Sequence, residues 1–190
     1  MRDNPEVVSG VWLAAIPETD FHRPLSSATK VILSTVPQVA DLQSAGGKAE
    51  SVYFNGKMLP VKPCMLAIPS GVVDDDPKAS AHRELWEELG VRVSDGGPDA
   101  LRVQTLEDPT ITSQLRGTNG SSKQLTIVGA HMAAFSVSDR MFETMCTHVE
   151  EGVSVRLMTL AELVRLVETE PSLLRPSTIA LGHILSRQIS

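Results

Sequence analysis

The chain has 190 residues, 42% of them hydrophobic and 21% charged, with a formal net charge of −6. That balance belongs to a globular protein of one domain, or one domain with a small extension. With no long basic run, a general affinity for the nucleic acid backbone is excluded. Cys64 and Cys146 are the only cysteines and neither belongs to a close Cys/His cluster, so no structural zinc site is expected. Met1 to Val8 is charged, without an apolar stretch of signal-peptide character, and no segment approaches the length of a membrane span. The expectation is a soluble, cytoplasmic protein that does not engage a membrane.

The first strand is expected over Val11 to Ile16, between Gly10 and Pro17, and the next over Lys30 to Val36. Asp41 to Lys48, with Gly46-Gly47, is expected to be a loop. Ser51 to Phe54 is a short strand followed by the turn pair Asn55-Gly56, and Cys64 to Ile68 is another strand. Pro77 to Leu89 is expected to be a helix. Asp76 suits its N-cap, Pro77 its first turn and Gly90 its C-terminal stop. Ala81, Leu85 and Leu89 follow at spacings of four and form one apolar stripe.

Beyond the helix, Leu101 to Leu106 is a strand candidate and Glu107 to Lys123 a long polar loop. Leu125 to Phe135 is the longest β-type run, and Val153 to Leu157 a further strand. Leu160 to Glu168 and Ser177 to Arg187 are expected to be helical. Interspersed strands and helices imply an α/β (α+β) class, a mixed β-sheet sandwiched between helices.

The chemistry concentrates on one helix face. Glu84, Glu87 and Glu88 stand at i, i+3 and i+4 and share that face. Crowded carboxylates repel each other, whereas a hard cation such as Mg²⁺ or Mn²⁺ turns the crowding into attraction. Arg83 can pair with a carboxylate and orient the cluster. Gly71, upstream of an Asp-rich loop, permits a tight backbone path.

Arg83-Glu84-Leu85-Trp86-Glu87-Glu88-Leu89-Gly90-Val91 resembles the core of the Nudix box, R-E-U-x-E-E-x-G-U with U a bulky aliphatic residue, at every specified position. The upstream half departs from the pattern. Pro69 and Asp75 stand where the family has Gly and Glu, and Gly71 is separated from Arg83 by eleven residues instead of thirteen. A loop shortened by two, with Asp75 or Asp76 near the missing Glu, accounts for this. Ile68 to Asp75, Asn119 to Gln124 and Val149 to Gly152 resemble segments of ADP-ribose and UDP-glucose pyrophosphatases of the same family.

The resemblance implies a Nudix fold, with N-terminal strands over 1–60 for dimerisation or substrate contact and a hydrolase domain over 61–190. It implies hydrolysis of a nucleoside diphosphate sugar, of UDP-sugar or ADP-ribose type, to a nucleoside monophosphate and a sugar phosphate. Glu84, Glu87 and Glu88 would hold Mg²⁺ or Mn²⁺, and Arg83 would orient them. Glu84, or Glu150 or Glu151 of an acidic loop, would activate the water. The alternative is a Nudix-fold module that binds a nucleotide or a protein with weak or no catalysis. Trp12, Phe21, Tyr53 and Phe54 are candidates for base stacking, but each is expected to serve as core instead, and Trp86 is likewise expected to pack. A homodimer is expected by the same resemblance.

Overall fold

The structure is a computed structural model. It describes residues 6–37, 41–42, 47–54, 57–60, 64–74, 76–98, 100–107, 109–117, 122–148 and 155–188. Its first element, β1 (Glu6–Pro17), is buried on both faces over most of its length. Val11, Leu13 and Ala15 point into one hydrophobic cluster, and Trp12, Ala14 and Ile16 into another. Near-continuous apolar sequence is what a strand covered on both sides requires.

The remaining elements follow in chain order. A single turn α1 (Glu18–Phe21) leads to β2 (Lys30–Pro37), β3 (Asp41–Leu42), β4 (Gly47–Phe54), β5 (Lys57–Pro60), β6 (Cys64–Ala67) and β7 (Ser70–Val72). Helix α2 (Pro77–Leu89) comes next, then β8 (Arg102–Leu106), β9 (Ile111–Gly117) and β10 (Ser122–Val137). Helix α3 (Asp139–His148), β11 (Val155–Thr159), α4 (Leu160–Thr169), a 3-10 turn (Pro171–Leu173) and α5 (Pro176–Leu185) complete it.

The large sheet runs β3-β4-β9-β10-β1-β7, with β5 added on β4 and β8 on β10. β1 and β10 are parallel, from Glu6 opposite Leu125 to Pro17 opposite Val137. The other pairs in this sheet are antiparallel. A second sheet, β11-β2-β6, is antiparallel throughout. Helices α4 and α5 cover one face of β1 and β10 through Leu160, Leu163, Ile179 and Ile184. Helix α2 covers the other through Ala81, Leu85 and Leu89, with Met145 of α3 in the same cluster. The expected class, a mixed sheet sandwiched between helices, is therefore what the structure shows.

Several local expectations need correction. Asp41–Leu42 and Gly47–Lys48 pair as strands where a loop was expected. The stretch 107–123 contains β9, which pairs with both β10 and β4. Its polar residues fit a strand because cross-strand hydrogen bonds satisfy the backbone whatever the side chains are. Helix α3 was not among the expected elements, and it adds Met145 to the cluster beneath α2. Helix α2 itself matches its expected bounds.

Candidate active site

Three local devices set the position of α2. The Asp76 carboxylate accepts from the Ala79 amide at 2.8 Å, which satisfies one orphan donor of the first turn and contributes about 1 kcal/mol. Pro77 occupies the first turn, where no amide is needed. Gly90 closes the helix at φ 66°, a left-handed conformation that glycine adopts without strain, and its amide reaches the Trp86 carbonyl. Fully burying Leu85 anchors the apolar face and contributes roughly 2 kcal/mol. At the outer side, Lys78 and His82 both reach Asp95 Oδ1, at 2.9 and 2.8 Å. Those two partners hold the Asp95 carboxyl below its ordinary range, Lys78 first.

The apolar face turned inward leaves the acidic face turned toward β7. Arg83 is the hub there. Its Nη1 donates to Asp74 at 2.5 Å, while Nη2 donates to the Val72 carbonyl at 3.0 Å and to Glu84 Oε1 at 3.1 Å. Its guanidinium is raised further in pKa by the bonds to Glu84 and Asp74, in that order. The expected partner near the missing Glu was Asp75 or Asp76. Asp76 instead caps the helix, Asp75 lies outside the described residues, and Asp74 is the residue that holds Arg83.

Gly71 has a different duty from the one expected. It lies in β7, opposite Val11 of β1. A Cβ there would stand 2.1 Å from Glu84 Cδ and 2.1 Å from Oε1. The glycine makes room for a carboxylate laid against the strand, not for a turn. Glu84 is thus largely enclosed, 12% exposed, between Gly71 and Arg83.

Glu87 is exposed, whereas Glu88 is half-buried. Burial pushes the Glu88 carboxyl up to about 7 from 4.5, and the charges of Glu84 and Glu87 add to the rise. Arg175 and the Ser70 backbone oppose it, Arg175 more strongly. Arg175 precedes α5, and its amide donates to the Leu66 carbonyl at 2.9 Å. The Ile68 amide donates to Thr178 Oγ1, also at 2.9 Å. Those bonds tie the start of α5 to the strand that leads into β7, and so carry a cation toward the acidic face. No signal within the α2 segment pointed to Arg175.

No family model matches the chain, and no curated protein matches it. Solved structures similar to it include the following two. The solution structure of the E. coli ORF135 protein is 15% identical, covering 96% of this chain and 91% of that chain, with a TM-score of 0.39. A NUDIX hydrolase from Nitrosomonas europaea is 13% identical, covering 97% and 90%, with a TM-score of 0.40. At this identity and superposition neither assigns a family or an activity to the chain.

The other expected site residues divide clearly. Glu150 and Glu151 lie outside the described residues. Trp12 and Phe21 are buried, and Trp12 Nε1 donates to the Ser177 carbonyl at 2.9 Å, so both are core. The side chains of Tyr53 and Phe54 lie outside the described residues. Trp86, expected to pack, is instead 53% exposed with the Arg92 guanidinium 4.6 Å above its ring. Among the described residues, no helix is long and apolar enough to cross a membrane.

Glu84, Glu87 and Glu88 supply carboxylate oxygens, the donor type that a hard divalent cation takes. Three carboxylates share a face, and the burial and crowding that raise Glu88 are what a dication offsets. Among the described residues, no three or more His, Cys, Asp or Glu side chains form a cage for a metal ion by themselves. Mg²⁺ needs no such cage, since it commonly takes one or two carboxylates and completes its shell with water and substrate phosphates.

Proposed function

We propose that the chain is a Nudix-type hydrolase that cleaves the pyrophosphate bond of a nucleoside diphosphate sugar, of UDP-sugar or ADP-ribose type. The observation that carries this reading is Arg83. Within the run Arg83 to Val91, it ties Glu84 to the β7 backbone and to Asp74, so that a carboxylate is presented in a fixed place. Glu84, Glu87 and Glu88 are the residues that would hold Mg²⁺ or Mn²⁺. When bound, the ion would neutralise the diphosphate and favour ionisation of a water.

The chain's own part is positional and basic. Glu84 stays in place because Gly71 and Arg83 leave it little freedom. Either Glu84 or a glutamate of the Glu150-Glu151 pair accepts the proton of the attacking water. Water adds to one phosphorus, the bridging P–O bond breaks, and the products are a nucleoside monophosphate and a sugar phosphate. Arg83 orients the acidic group without touching the reacting atoms. Self-association through the N-terminal strands belongs to the same proposal, and sedimentation of the free protein tests it.

A substrate screen with Mg²⁺ and Mn²⁺ tests the activity. The panel is UDP-sugars, ADP-sugars, dinucleotides and capped RNA, with Glu87→Gln as control. Release of a phosphomonoester by the parent protein and its loss in Glu87→Gln is the expected result. No product from any member of the panel overturns it. The loop shortened by two before Arg83 and the missing upstream Glu motivate a second reading, a binding module without turnover. Calorimetry showing nucleotide binding without Mg²⁺, unaffected by Glu87→Gln, would select that module.

A further inference from the structure

A cavity of about 470 Å³ opens between the turn that follows α1 and the start of β8. It lies on the face of the central sheet opposite α2, since its floor residue Met132 belongs to the cluster beneath α4 and α5. The rest of the floor is Pro24, Leu25 and Ala134, and Arg23, Arg102 and Gln104 complete the lining, while the side chain of Val103 turns to the α2 side of the sheet. Among the described residues, no carboxylate lines it.

Arg102 is held in place by the core. Its guanidinium lies 4.1 Å from the centroid of the fully buried Phe21 ring, and its Nη2 donates to the Phe21 carbonyl. Among the described residues, no carboxylate reaches it as an ion pair. A guanidinium carries five N–H donors, and the carbonyl occupies one side of the fork. Arg23 is 76% exposed and stands 3.7 Å from Asp20, a loose surface pair that a better anion can displace. Two guanidinium groups over an apolar floor match a phosphate with a hydrophobic body, because the fork takes two phosphate oxygens at once.

We propose that this cavity is a binding site for a small organic phosphate. The phosphate sits between Arg23 and Arg102, and an aromatic or aliphatic body lies against Pro24, Leu25 and Met132. The volume is that of a small-molecule site. Its charge separates it from the α2 face, which can meet a phosphate only through a cation, whereas this cavity needs none.

Calorimetric titration of the full chain in EDTA with phenyl phosphate, inorganic phosphate and phenol tests the site. Phenyl phosphate is expected to bind, inorganic phosphate at least about tenfold more weakly, and phenol not measurably, because both the anion and the apolar body contribute. Arg23→Gln, at the rim, weakens phenyl phosphate by about tenfold with an unchanged melting temperature, and Arg102→Gln abolishes binding. Should Arg102→Gln not fold, Arg23→Gln decides alone. Glu87→Gln leaves binding intact, which keeps this test separate from that of the α2 site. No heat up to about 10 mM phenyl phosphate overturns the proposal. So does binding that survives both arginine changes, or binding that Glu87→Gln removes.

Discussion

The carboxylate of Glu84 lies against the backbone of Gly71, with no room for a methyl group between them. A helix side chain is thereby seated on a strand, and its rotamer is set from outside the helix. In Gly71→Ala the new Cβ would meet Glu84 Cδ at 2.1 Å, so the carboxylate must move. Glu84 is the flexible partner, so the stability loss should be modest, about 1 kcal/mol. Any hydrolysis should fall by about a hundredfold, since displacement of an aligned group by an ångström has that effect. Parallel melting curves and rate measurements check this; a rate unchanged within a factor of two contradicts the seating role.

Arg83 makes three directed contacts from one planar group, to Asp74, Val72 and Glu84. Lysine keeps the charge but cannot reproduce the fork. Arg83→Lys should therefore leave the melting temperature almost unchanged, because the contacts are solvent-exposed, and lower kcat by about tenfold to a hundredfold. Steady-state kinetics at saturating Mg²⁺ is the measurement. A change in KM alone would place Arg83 on the substrate instead.

Glu88 makes stability depend on pH. Its carboxyl is raised from 4.5 to about 7 in the folded chain, so the folded state holds a proton that the unfolded state releases. Stability from this group is full below about pH 4.5, declines as pH rises, and is lost above about 7. With partial access to water, the effect should be on the order of 1–2 kcal/mol. Urea midpoints of the metal-free protein between pH 5 and 8 should fall with pH through this window, and Glu88→Gln should flatten the slope. A slope identical in the variant would assign the dependence to other groups.

Leu85 and Trp86 are neighbours in sequence with opposite environments. Leu85 is fully buried between α2 and the sheet, whereas Trp86 is 53% exposed beneath Arg92. Leu85→Ala should cost about 2–5 kcal/mol through lost burial and the cavity left behind. Trp86→Ala should cost about 0.5–1 kcal/mol, the range of an exposed cation–π contact. Chemical denaturation of both variants tests the ordering, and a larger loss at Trp86 would reverse the orientation of the helix.

The amino-acid order alone located α2, both of its ends, its buried stripe and the face shared by Glu84, Glu87 and Glu88. All of these arise from residues within one or two turns of each other, where helix geometry and capping act locally. The surroundings of those glutamates were not legible in the same way. Asp74 as the partner of Arg83, Gly71 as the seat of Glu84, and Arg175 opposing the rise at Glu88 all come from chain segments outside the helix. The pairing of β9 with β4 likewise joins distant stretches, one of them too polar to announce a strand. Long-range pairing and burial depend on which segments meet in space, and no local pattern along the chain encodes that meeting.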